Sequence, residues 1–126
     1  MDIKSRKEVE GFILSLPSAR LDYPFGEDVA VYKVMVDGEE KMFALMPESA
    51  DPIRLSLKCD PTLAVLLRKK YETILEGYHL NKKHWNTIHD DGTVTDKQLK
   101  EWIDHSYDMV VAGMSKKDRE RVMKKG

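Results

Sequence analysis

Three of the four histidines of this 126-residue chain fall in one stretch, Glu76 to Gly92, which reads EGYHLNKKHWNTIHDDG. Imidazole is a common metal ligand, so His79, His84 and His89 are the first candidates for chemistry. Their spacing argues against a shared ion. Residues five apart in an extended segment point to opposite faces, and the paired Cys/His spacings of zinc sites are absent. Nucleophilic catalysis fares no better. Ser106 directly follows His105, but successive helical residues do not face each other, and no glycine-rich phosphate loop can be assembled from EGYHLN. No metal, cofactor or catalytic set is therefore expected, and the chain reads as non-enzymatic.

Phosphate contact is the chemistry that this stretch does suit. Between Tyr78 and Ile88 stand two lysines, two asparagines, two histidines and a tryptophan, with no acid. Lysines and amides grip phosphate oxygens while an aromatic face meets a base or sugar. The candidate nucleic-acid contacts are His79, Asn81, Lys82, Lys83, His84, Trp85 and Asn86, with Arg54 and Lys58 as auxiliary cations. A structural corner accounts for the same residues: Trp85 in a core, Asn81 satisfying turn backbone, and Lys82-Lys83 at an exposed hairpin tip.

Such residues need elements to hold them. Ser5 with Glu8 has the form of a capping box before Val9, Phe12, Ile13 and Leu16, which predicts a helix over 5–16, stopped by Pro17. VAVYKVMV and EKMFALM flank Asp37-Gly38 and predict a β-hairpin from Val29 to Met46 with a type I′ turn. IRLSLK alternates, with Ile53, Leu55 and Leu57 on one face and Arg54, Ser56 and Lys58 on a wetter, basic one. Asp60-Pro61 opens a second helix closed by Arg68, Lys69 and Lys70, cations that complement its dipole. ETIL and HWNTIH predict two further strands. Thr95 with Gln98 caps a long helix whose stripe is Leu99, Trp102, Ile103, Ser106 and Val110, ending at Gly113.

The order α-β(3)-α-β(2)-α excludes regular βαβ alternation. It predicts an α+β two-layer sandwich, a mainly antiparallel sheet with helices on one face. Residues 1–117 form one domain and 118–126 a basic C-terminal tail that reads as a solvated end, with a short frayed helix as the alternative. Hydrophobic residues at 41%, charged residues at 34% and a net charge of −1 describe an ordinary globular chain, not a strongly basic nucleic-acid protein. One cysteine, Cys59, excludes an internal disulfide and reads as a structural thiol. The absence of a signal-like or membrane-spanning run gives a cytoplasmic expectation with no membrane partner.

Taken together, DYPFGEDVAVYKV, KMFALM, LSLKCDP, GYHLNKKHWNTI and WIDHSYDMVVAGM resemble the MmcQ/YjbR family of small bacterial proteins, in the family's order, from about Ser5 to Lys117. The resemblance implies the secretion-chaperone-like arrangement of helix, three strands, helix, two strands, helix. It also implies a DNA-binding label that rests on fold analogy, and no established catalytic set. The expected partner is thus DNA, held weakly and by its phosphates. The alternatives are a protein-interaction adapter or homodimer, marked by a contiguous exposed apolar patch, and a small-ligand domain with a pocket bounded by Tyr32, Trp85 and His105. The sequence leaves the oligomeric state open.

Overall fold

The computed structural model describes residues 5–50, 52–77 and 80–125, the last three without their side chains. Helix α1 (Arg6–Leu14) begins where Ser5 Oγ accepts from the Glu8 backbone N–H. It is followed by strand β1 (Ala19–Asp22) and by the hairpin β2 (Val29–Val36) and β3 (Glu39–Pro47). Then come β4 (Arg54–Lys58), α2 (Pro61–Lys70), β5 (Ile74–Glu76), β6 (Trp85–His89), α3 (Asp96–Ala112) and α4 (Lys116–Lys125). The six strands form one antiparallel sheet in the order β1-β2-β3-β4-β6-β5.

The α+β two-layer class holds, with two elements beyond the expected order. Strand β1 pairs with β2 as an edge, matching Ala19 to Val34 and Asp22 to Val31. The basic end expected to be solvated is helix α4, whose Val122 is buried in the main core. Arg121 in the same helix donates to the Asp37 carbonyl of the hairpin turn. That turn also differs from expectation. Gly38 has φ +84 while Asp37 is absent from the residues with positive φ, which fits type II and not type I′.

Opposite residues of an antiparallel pair share a face, so the register sorts the side chains. Ala30, Tyr32, Leu55, Leu57, Ile74 and Ile88 face the helices and pack against Ile13, Ile103 and Val110. The hydroxyl of buried Tyr32 donates to the Glu10 carboxylate of α1, and burial together with that carboxylate holds its phenol far above the usual range. Val31, Leu45 and Trp85 form a smaller cluster on the opposite, helix-free face, with Leu80 packed on it.

The register of β2 and β3 shifts between Tyr32 and Lys33: Tyr32 opposes Ala44, Lys33 opposes Met42, and Phe43 is the extra residue. This bulge puts both Phe43 and Ala44 into the main core. It also removes a ladder bond toward β4. Ser106 of α3 replaces that bond, its hydroxyl donating to the Phe43 carbonyl at 2.5 Å and accepting from the Lys58 N–H at 2.9 Å.

Candidate nucleic-acid interface

The loop from Gly77 to His84 carries most of the candidate residues; His79, like Tyr78, lies outside the described residues. Asn81 Oδ1 accepts from the Lys83 N–H at 2.9 Å and the Asn81 carbonyl accepts from the His84 N–H at 3.2 Å, which closes a tight turn. The turn leaves Asn81, Lys82 and Lys83 exposed. Gly77 is where the loop leaves the sheet: a Cβ there would stand 2.7 Å from that of Trp85, closer than side chains approach. His84 is half-buried, and its carbonyl accepts from the Cys59 N–H at 2.7 Å.

Beyond His84 the candidates separate. Trp85 is 7% exposed and belongs to the helix-free cluster, so its ring is a wall and not a stacking platform. Asn86 points the other way, beneath α2, where its amide donates to the Ala64 carbonyl at 3.2 Å and its Oδ1 accepts from Arg68 at 3.0 Å. Lys58 opposes Trp85 in the ladder and shares its face, whereas Arg54 opposes His89 at the far end of the same strands. Ser56, expected on a wet face, is buried and hydrogen-bonded to Thr87 at 2.8 Å.

The sequence favours dipole pairing and solvation over a binding role for Arg68, Lys69 and Lys70. Arg68 Nη1 donates to the Lys82 carbonyl at 2.8 Å, which ties the basic end of α2 to the lysine loop. The Arg68 bond thus brings two separate basic runs, Arg68-Lys69-Lys70 at the end of α2 and Lys82-Lys83 in the loop, to one corner, while Lys58 lies on the helix-free face with Trp85. None of the ion pairs among the described residues uses any of these cations; those pairs involve Arg6, Lys33, Lys41 and Arg121. Lys70 lies 5.5 Å from the Tyr71 ring centroid.

The expected pocket bounded by Tyr32, Trp85 and His105 does not form, because Tyr32 and Trp85 lie on opposite faces of the sheet. On the helix side, Cys59, Asn86, Trp102 and His105 line a space of only about 10 Å³, room for one water. The exposed large apolar side chains among the described residues are Leu14 of α1, Leu21 of β1, Tyr23 and Phe25 of the β1–β2 connection, Val65 and Leu66 of α2, and Leu75 of β5. Among the described residues no group of three or more His, Cys, Asp and Glu side chains could hold a metal ion, and no helix is long and apolar enough to cross a membrane.

The family model YjbR matches residues 14–109. The chain belongs to the YjbR family. Its relative YbdF of Escherichia coli O157:H7 is 34% identical over 123 residues, which cover 97% of this chain and 98% of YbdF. YjbR of Escherichia coli K12 is 38% identical over 73 residues, 58% of this chain and 62% of that one. A crystal structure of a Deinococcus radiodurans protein with a DUF419 domain superposes with a TM-score of 0.89 at 36% identity, covering 95% of this chain and 88% of that one. A Pseudomonas syringae protein superposes at a TM-score of 0.69 with 25% identity, covering 83% and 97%.

The DHSYD stretch of this YjbR-family chain holds the fold together. His105 Nε2 accepts from the Asp60 N–H at 3.1 Å, Ser106 bridges β3 and β4, and Tyr107 donates to the Pro17 carbonyl at 2.7 Å. Three consecutive residues of α3 therefore each fasten a different segment. Cys59 is buried beside them, and burial, then the Asp60 carboxylate, pushes its thiol up to about 11. At neutral pH the thiol is protonated and shielded. Its reaction with Ellman's reagent is expected to be negligible in the native protein and stoichiometric after unfolding in guanidinium; a native burst of one equivalent would show an activated thiol instead.

Proposed function

We propose that this chain binds the phosphate backbone of nucleic acid, weakly and without reading sequence, through the basic corner of Arg68, Lys69, Lys70, Lys82 and Lys83, with Lys58 of the helix-free face as an auxiliary cation. The supporting observation is the Arg68 bond to the Lys82 carbonyl, which joins two basic runs whose cations make no ion pair among the described residues. Affinity comes from counterions released as phosphates meet lysines, so it falls with salt. Phosphate contacts position a strand without specifying it. A net charge of −1 means that attraction is local to this corner, which keeps binding weak. The original candidates are redistributed: Lys58, Lys82 and Lys83 carry charge, Asn81 and Asn86 shape the corner, and Arg54 belongs to another part of the sheet face.

The test is fluorescence anisotropy of labelled single- and double-stranded DNA from about 25 to 200 mM salt, over which phosphate contacts lose affinity steeply. Replacing Lys82 and Lys83 by alanine should flatten the plot of log affinity against log salt by about 1.4 for a single strand and about 1.8 for a duplex, since each phosphate contact contributes about 0.7 or 0.9. An unchanged slope would remove the lysine loop from the interface, and no binding at low salt would end the proposal.

A further inference from the structure

The outer face of α2 is apolar where a solvent-facing helix is usually polar. Its residues at i, i+3, i+4 and i+7 are Thr62, Val65, Leu66 and Lys69, all exposed, with Val65 at 40% and Leu66 at 57%. The opposite face is occupied by the sheet: Ala64 is fully buried, its carbonyl accepts from the Asn86 amide, and Leu67 packs against the main core. The helix thus carries apolar side chains on two faces, and only the inner one is covered. Helix propensity does not account for Val65, since valine forms helices less readily than the Lys, Glu or Gln that would suit an exposed position.

Charges of opposite sign flank this apolar centre at its two ends. Helices α2 and α3 run in opposite senses over the sheet: the Asp60 N–H at the start of α2 donates to His105 Nε2 at 3.1 Å, while at its end Tyr71 Oη accepts from Gln98 Nε2 at 2.8 Å and the Tyr71 ring meets Trp102 edge-on. Lys69 and Lys70 therefore stand at one end of the helix pair, and Asp104 and Asp108, exposed on α3, stand at the other. None of the ion pairs among the described residues engages any of these four side chains. Partial burial, then the Asp108 charge, holds the Asp104 carboxyl above its ordinary value, as expected of an acid that no cation offsets.

We propose that a second copy of this chain docks on this face, the two α2 helices packing antiparallel about a two-fold axis with Val65 and Leu66 against their equivalents. The charges choose this occupant. A two-fold axis through the apolar centre brings Lys69 and Lys70 of each copy to the end where the other carries Asp104 and Asp108, so the surface is complementary to itself. A parallel arrangement would set lysines against lysines and acids against acids, so the same charges fix the orientation. With ten residues α2 is about 15 Å long, a seam below the size of a standard interface, and the dimer is accordingly a transient one. Lys69 and Lys70 also belong to the phosphate-binding corner, where a bound strand would compete with the second copy for them. The dimer itself does not depend on that reading.

The experiment is sedimentation equilibrium of the full chain, without nucleic acid, from about 10 µM to 1 mM, a range that covers weak association. The average mass is expected to rise from that of one chain toward that of two and no further, since a two-fold contact closes on itself. Leu66→Ala, at an exposed position where the fold is little affected, should weaken association roughly tenfold, because each dimer loses two leucines from its seam. Lys69→Glu/Lys70→Glu and Asp104→Lys/Asp108→Lys should each be monomeric alone and associate when mixed, because every reversed charge then meets its opposite. Lys82→Ala/Lys83→Ala should associate as the parent does, which separates this proposal from phosphate binding. A single-chain mass up to 1 mM overturns the dimer and leaves the phosphate-binding corner standing. Association indifferent to Leu66 and to the charge variants overturns it by locating the contact elsewhere, and growth beyond two chains excludes a two-fold pair. Charge variants that fold by circular dichroism yet stay monomeric when mixed overturn the antiparallel arrangement.

Discussion

Replacing Phe43 by alanine is expected to lower the free energy of unfolding by about 3–5 kcal/mol, the usual cost of deleting a buried ring. For a chain of 126 residues this lowers Tm by about 10–20 °C. The ring is 0% exposed and meets Tyr107 edge-on, at 5.5 Å between centroids and 84° between planes. Its loss does more than empty a site in the core. Phe43 is the bulge residue, and its burial draws the bulged backbone toward α3, where Ser106 receives its carbonyl. Without the ring, little favours the bulge over a regular strand. A regular register would turn one half of the hairpin inside out, because a slip of one residue moves every side chain to the other face. Urea unfolding with circular dichroism and fluorescence measures the loss. A change under about 1 kcal/mol, well below what the named mechanism costs, would mean that the core closes over the gap and that the bulge does not depend on the ring.

Much of the fold was readable because the informative signals are local. Asp60-Pro61 and Thr95 with Gln98 cap their helices as written: Asp60 accepts from Thr62 and Leu63 N–H groups, and Thr95 and Gln98 exchange both bonds of a full capping box. Strand β1 was invisible for a corresponding reason. ARLD has no alternation and lies between Pro17 and Pro24, so it becomes a strand only by pairing with β2. The bulge was equally hidden. FALM is apolar throughout because both faces of β3 are buried there, and an unbroken apolar run does not reveal where alternation slips.

The candidate site was readable only in part, since it is assembled across distance. Lys82-Lys83 stands out in the sequence, but the cations that join it belong to α2, and their link is a bond from a side chain to a backbone carbonyl fourteen residues away. Nothing in the local pattern of RKK separates that role from pairing with a helix dipole. Arg54 and Lys58 were grouped on one face, correctly for the strand, yet the ladder places them beside His89 and Trp85 respectively, at opposite ends.

Ser106→Ala is expected to destabilise the protein by about 2–4 kcal/mol although it deletes a single oxygen, because a buried donor and a buried acceptor lose their partner together. Ser106 is 0% exposed, and its hydroxyl is the hydrogen-bond partner of both the Lys58 N–H and the Phe43 carbonyl. In a regular ladder these two groups would bond each other directly; the bulge has moved them apart. The hydroxyl thus serves as a splice between β3 and β4, and α3 supplies it. Chemical denaturation reads the overall cost, and amide hydrogen exchange locates it: protection should fall first at Lys58 and its β4 neighbours. A loss within about 0.5 kcal/mol, the ordinary range of surface changes, would indicate that a water takes the place of the oxygen. The outcome also bears on Lys82 and Lys83. Strand β4 lies between the hairpin and β6, so loosening it frees the strand from which the lysine loop is held. DHSYD would then act on the proposed nucleic-acid binding without touching the ligand, through the geometry of the corner, and if that proposal holds Ser106→Ala should weaken binding with the salt slope nearly preserved as long as the protein remains folded.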